Sequence, residues 1–144
     1  MTGAAAVPVF HIHVDGASRG NPGEAGFGVH VATPAGEEVA ALYGYLGRAT
    51  NNVAEYQALI HALRFALARG AVSVRIFCDS ELVVRQMSGR YKVKHPDMVA
   101  LHREARSLLR RFDSVSLTHV RREQNQDADR LANRALDEKA SKLE

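Results

Sequence analysis

The spacing of apolar residues changes near Asn52, and that change limits the folds open to this chain more than any other feature. Before it, Val9 to Val14 alternates, with Phe10, Ile12 and Val14 on one face and His11, His13 and Asp15 on the other, the period of two that a half-buried strand requires. Gly20-Asn21-Pro22-Gly23 has the chemistry of a tight turn and leads into Gly26 to Thr33, where Phe27, Val29 and Val31 share a face. Pro34-Ala35-Gly36 is the next turn, and Glu38 to Leu46 reads as a third strand, so the first part is an antiparallel meander. From Asn52 to Arg69 the period becomes helical: Tyr56, Leu59, Ile60, Leu63 and Leu67 line one stripe and Gly70 closes it. Val72, Val74, Ile76 and Cys78 then alternate as a buried strand ending at Asp79, followed by a short helix from Ser80 to Met87 and a looser stretch through Ser88-Gly89-Arg90. Pro96 opens a further helix with Met98, Leu101, Ala105, Leu108, Leu109 and Phe112 as its core stripe. Val115 to Val120 is a last strand, and Asn125 to about Lys139 a last amphipathic helix. The order β-β-β-α-β-α-α-β-α predicts an α/β fold with a five-stranded mixed sheet, strands 1–3 antiparallel and strands 1, 4 and 5 parallel, flanked by helices.

With 144 residues, 46% hydrophobic and 24% charged, the chain has the composition of one globular domain over 1–144, its core at about 9–137 and its ends frayed. Disordered and fibrous classes are excluded on the same numbers. No stretch approaches the roughly 20 apolar residues of a membrane helix, and no basic segment precedes the small residues at the start, so neither a membrane partner nor a secretion signal is expected. One cysteine, Cys78, forms no internal disulfide and no thiolate metal site, which together with the missing signal fits a reducing cytoplasm, and a monomer is expected. The charge is unevenly spread. Between Arg85 and Arg122 ten basic residues face three acidic ones, +7, whereas the remainder carries −4 of the net +3. A polyanion-binding face has this asymmetry, as has a solvated helix and loop.

The acidic residues carry more specific information. If the first strand and the Val72 to Cys78 strand are parallel neighbours, Asp15 and Asp79 stand side by side, about 4.8 Å apart, at the carboxyl edge where open α/β sheets bind ligands. Two such anions repel unless a cation lies between them, and oxygen ligands suit Mg²⁺ or Mn²⁺. Glu55, in the first turn of the main helix, can join them; equally, Asn52-Val53-Ala54-Glu55 has capping-box spacing. Asp79 can be the cap of the following helix, and Asp129 a first-turn acid that complements the last helix's dipole.

Four segments, in order and covering roughly Val9 to Leu136, resemble the motifs of the type 1 ribonuclease H family: Asp15-Gly16-Ala17-Ser18-Arg19-Gly20-Asn21-Pro22-Gly23, Thr50-Asn51-Asn52-Val53-Ala54-Glu55, Cys78-Asp79-Ser80, and Asn125-Gln126-Asp127-Ala128-Asp129-Arg130-Leu131-Ala132-Asn133. The resemblance implies a metal-dependent endoribonuclease that hydrolyses the RNA strand of an RNA-DNA hybrid and leaves 5′-phosphate and 3′-hydroxyl ends. Its carboxylates fall on Asp15, Glu55, Asp79 and Asp129, with Asp127 the rival for the last place. They imply two Mg²⁺ ions, for which Mn²⁺ substitutes, with Asp15 bridging both and Asp129 on the second. Asn21, Asn51 and Asn52 are similar to the family's minor-groove contacts, which sense the 2′-hydroxyl, and Thr50 to a residue that binds a DNA-strand phosphate. Two departures stand out. Gln86 to Pro96 is too short for the basic handle of some members, so binding would rest on Arg85, Arg90, Lys92 and Lys94, as in handle-less bacterial and archaeal-like members. The loop before the last motif lacks the family's histidine, and Arg122 is the candidate replacement, Arg121 the second. A non-catalytic hybrid-binding module, or a nuclease of the same fold acting on double-stranded RNA or on DNA, is the alternative. His11 and His13 are expected to be ordinary strand residues.

Overall fold

The computed structural model describes residues 7–144, and in it the three early alternations form β1 (Val9–Gly20), β2 (Gly23–Ala32) and β3 (Glu38–Ala49). They are followed by α1 (Asn51–Ala68), β4 (Ser73–Cys78), α2 (Glu81–Met87), α3 (Pro96–Leu109), β5 (Ser114–His119), a 3₁₀ turn at Arg122–Gln124 and α4 (Gln126–Glu138). The sheet has the order β3-β2-β1-β4-β5, antiparallel across the first three strands and parallel across β1, β4 and β5, as the element order requires. Among the described residues no helix is long and apolar enough to cross a membrane.

The alternating faces decide what packs where. Phe10, Ile12, Val14, Phe27, Val29, Val31, Val74 and Ile76 are buried and form one core with Tyr56, Leu59, Ile60 and Leu63 of α1. Each aliphatic side chain fully removed from water there contributes about 1.5–3 kcal/mol. A smaller apolar cluster joins α4 to the sheet through Tyr43, Leu131 and Ala135. In α3 only Ala105 is fully buried, while Met98, Leu101, Leu108 and Leu109 pack half-buried at the margin of the main core.

Four expectations need correction. β1 does not end at Asp15 but runs on to Gly20, because the chain stays paired with β2 after it has left β4. Val72 precedes β4 and is 41% exposed, its carbonyl accepting from the N–H groups of Asp113 and Ser114 instead of sitting in the core. The cap of α1 is Thr50, whose hydroxyl accepts from Val53 N at 3.2 Å, and not Asn52. The C-terminal segment, expected to fray, is tied down: Tyr43 N donates to Lys142 O at 2.9 Å, Lys142 N to Tyr43 O at 2.8 Å, and Tyr45 N to Ser141 Oγ at 2.9 Å. β3 is an edge strand, and these bonds occupy backbone groups that would otherwise be open. The expected fraying of the N-terminus concerns residues 1–6, which lie outside the described residues.

Candidate active site

β1 and β4 stay in register up to the pair Val14↔Cys78, and the next residue on each is an aspartate. Parallel pairing therefore places Asp15 and Asp79 at the same edge. α1 brings in the third acid. Its N-terminus lies directly on β1 because position 16 is glycine: a Cβ there would overlap the backbone of Ala54 and Glu55. The Glu55 carboxylate lies beside those of Asp15 and Asp79, and Thr50 is the residue that caps α1, so Glu55 is used across the sheet edge and not as a capping-box residue. Asp79 is not a cap either, since Ser80 takes that place for α2, its Oγ accepting from Val83 N at 3.2 Å.

Asp15, Glu55 and Asp79 each place a carboxylate oxygen within 4.8 Å of the others. Asp15 and Glu55 are buried and Asp79 half-buried. Burial raises the Asp15 pKa, with the negative charges of Glu55 and Asp79 adding to it and a hydrogen bond to Asp129 last. Glu55 is raised as well, by burial first and by Asp79 next, partly offset by the Gly16 N–H. Acids held this close in a poorly solvated site repel one another once ionised. An all-oxygen set of this charge and spacing fits a hard divalent cation.

Asp129 completes the ring from another direction. α4 reaches the sheet because position 28 is glycine, a Cβ there overlapping Ala128 O, and Asp129 in the first turns of α4 then lines the same cavity of about 480 Å³. Arg122, 80% exposed at the rim, holds its Nη2 3.9 Å from Asp129 Oδ1. Asn51 and Asn52 line the cavity too, as do Ser18 and Ser80, which the sequence reading passed over although both lie inside quoted motifs. The rival acid Asp127 is paired with Arg130 at 3.0 Å and is not in the lining.

The other candidates lie around this cavity and not in it. Asn21 Oδ1 accepts from Asn51 N at 3.1 Å, which ties the β1–β2 turn to α1. Thr50 opens onto an adjacent cleft with Pro22, Arg48 and His95. Arg85 and Arg90 border a shallow groove that includes His119, Arg85 being paired with Glu81 at 2.7 Å. Lys92 and Lys94 are exposed on the segment between α2 and α3. Arg121 caps the 3₁₀ turn. His13 stacks on Phe77 with ring centroids 4.8 Å apart and His11 meets the same ring edge-on at 5.9 Å, and neither lines the carboxylate cavity.

A family described as reverse transcriptase-like matches residues 13–135. The chain is 50% identical over 127 residues to a bifunctional protein of Mycobacterium tuberculosis, covering 88% of this chain and 35% of that one, so it spans about a third of that relative's length. The crystal structure of ribonuclease H1 from the archaeon Halobacterium salinarum superposes with a TM-score of 0.87 at 45% identity, covering 90% of this chain and 98% of the other. LC11-RNase H1, solved in complex with an RNA/DNA hybrid, gives 0.85 at 39% identity and covers 90% and 98%. A likeness this long, running through all four acidic motifs, means that the chain belongs to the type 1 ribonuclease H family.

Proposed function

We propose that this chain is a divalent-metal-dependent endonuclease that hydrolyses the RNA strand of RNA-DNA hybrids, leaving 5′-phosphate and 3′-hydroxyl ends. One observation carries the reading: three carboxylates from three separate elements share a space of 4.8 Å, with a fourth, Asp129, lining the same cavity. A relative 39% identical over nearly its whole length has been solved on an RNA/DNA hybrid, which supports the choice of substrate.

In this reading Asp15, Glu55, Asp79 and Asp129 hold two Mg²⁺ or Mn²⁺ ions, which when bound supply the positive charge that hydrolysis of a phosphodiester requires. The chain's own groups do the rest. Burial of Asp15 and Glu55 keeps bulk water from competing for their oxygens. Asn51 and Asn52 face the same cavity with amide donors and acceptors suited to a 2′-hydroxyl. Asn21 has its Oδ1 engaged by Asn51 N, which leaves its amide N–H₂ for the substrate. Thr50 spends an acceptor on its helix, so its hydroxyl hydrogen can still meet a DNA-strand phosphate. Arg90, Lys92 and Lys94, together with Arg85, supply the phosphate contacts of a chain that lacks a basic handle. Arg122, within reach of Asp129 and largely in solvent, can swing between that acid and a departing phosphate.

The test is cleavage of RNA-DNA, RNA-RNA and DNA-DNA duplexes, the hybrid end-labelled on either strand, in Mg²⁺, Mn²⁺ or EDTA, with the product ends mapped. Metal-dependent cuts confined to the RNA of a hybrid are expected. Binding without cuts would select a hybrid-binding module, and cuts in another duplex a different nuclease.

A further inference from the structure

Asn125 stands immediately before α4, is fully buried, and takes no part in lining the cavity. Its Nδ2 donates to the carbonyl of Val14 at 2.9 Å, a bond between residues 111 positions apart. Its own carbonyl accepts from Asp129 N at 3.1 Å. Val14 is the last residue of β1 in register with β4 and directly precedes Asp15. One residue therefore grips the strand just before the first acid and closes the helical turn that carries the fourth.

This is a poor arrangement for stability alone. Oδ1 of Asn125 is buried without a hydrogen-bond partner among the described residues, and the side chain makes no capping bond to α4. The unpaired half of a buried amide is destabilising, which offsets part of what its bond to the Val14 carbonyl contributes. What the amide provides is register: a hydrogen bond of fixed length and direction sets where the start of α4 lies along β1, which apolar contact does not. Ligand distances at an ion site tolerate only about 0.2 Å. The other contacts that hold the helix on the sheet, Ala128 against Gly28 and Leu131 and Ala135 further along, are apolar or steric and fix its distance from the sheet more than its position along β1.

We infer that Asn125 is a positioning residue that sets the separation of Asp129 from Asp15 and thereby the affinity of the ion site these two acids share. The inference rests on the proposed function in one respect, that Asp129 is a ligand. Groups that position metal ligands typically change affinity by 10–100-fold when removed.

The experiment is calorimetric titration of the metal-free, folded chain with Mn²⁺ in the absence of nucleic acid. Asn125→Ala should weaken Mn²⁺ binding about 10–100-fold. Leu136→Ala, which removes a buried side chain from the far end of α4, should lower the melting temperature yet bind Mn²⁺ as the parent does. In an Asp129→Asn background, the Asn125→Ala effect should disappear, because the positioned ligand is gone. Should Asn125→Ala not fold, Asn125→Ser keeps a side chain favoured at helix starts but too short to hold the Val14 carbonyl, and takes its place. Parental Mn²⁺ affinity in the folded Asn125 variants, an equal loss in Leu136→Ala, or an effect undiminished by Asp129→Asn would each overturn the inference. The two readings fail separately: a parent that binds Mn²⁺ but cuts no hybrid removes the nuclease reading, and the substrate-free titration still decides the role of Asn125.

Discussion

Asp15 occupies the point where β1 stops pairing with β4 and continues with β2 alone, and its carboxyl is buried beside two others. Such a placement costs stability in the absence of a cation. Unfolded, Asp and Glu titrate near 4. Folded, both Asp15 and Glu55 keep their protons to higher pH, Glu55 up to about 8, so over that interval the native state binds more protons than the unfolded one. Stability from these groups is therefore greatest below about pH 4 and declines as pH rises towards 8. In EDTA at pH 8, Asp15→Asn should stabilise the chain by at least about 1 kcal/mol in urea unfolding, the gain shrinking as pH falls to 5. The same variant should lower hybrid cleavage by roughly 10²-fold or more while hybrid binding persists. A variant that melts like the parent at pH 8, or cuts like it in matched Mg²⁺, removes Asp15 from this account. Arg122→Ala makes the opposite pairing of effects: 80% exposed, it should leave the melting temperature unchanged and lower turnover more than substrate affinity in steady-state kinetics. At this scale the sequence was informative about Asp15 and Asp79, since strand alternation points to where each strand's apolar run stops. It left Glu55 open between cap and ligand, and the Thr50 cap resolves that. Asn125 opens the fourth motif, but nothing local marks its partner, which is 111 residues away.

Elements come together here by close backbone approach at two glycines, one under α1 and one under α4. Gly28 lies against Ala128 O, so Gly28→Ala forces the first turns of α4 off the sheet, and those turns carry Asp129. Overpacking of this kind typically costs about 1–3 kcal/mol. The variant is expected to lose that much in equilibrium unfolding and to need more Mg²⁺ for half-maximal cleavage; an unshifted Mg²⁺ requirement would mean that α4 can move without carrying the fourth acid with it. Helix and strand identities follow from apolar spacing, and each predicted element is present. Lengths follow less well. β1 outruns its alternation because Ala17 to Gly20 are held by β2 and not by a buried face of their own. The strand of Val72 starts one residue late: the residue has the right apolar character, but it is 41% exposed and its carbonyl accepts from Asp113 N and Ser114 N.

For the whole molecule, the basic excess between Arg85 and Arg122 divides in three dimensions. Arg90, Lys92 and Lys94 lie on the exposed connection between α2 and α3, while Arg103, Arg110 and Arg111 sit on or just after α3. If the connection contacts the hybrid backbone, Arg90→Ala/Lys92→Ala/Lys94→Ala should weaken hybrid binding and reduce the slope of log K against log salt by roughly 2–3, without altering the metal requirement. An unchanged slope would transfer the phosphate contacts to other residues. By itself the sequence determined the order and kind of the elements, the two aspartates at which buried apolar alternations stop, and the four motifs of the family, because apolar period and motif order are properties of neighbours along the chain. Only the tertiary structure decided that Glu55 joins those aspartates, that Asp129 and not Asp127 faces them, and that a buried asparagine ties the last helix to the first strand. Those are distances between residues far apart in the chain, and they are set by how closely backbones can approach and by which buried polar groups find partners.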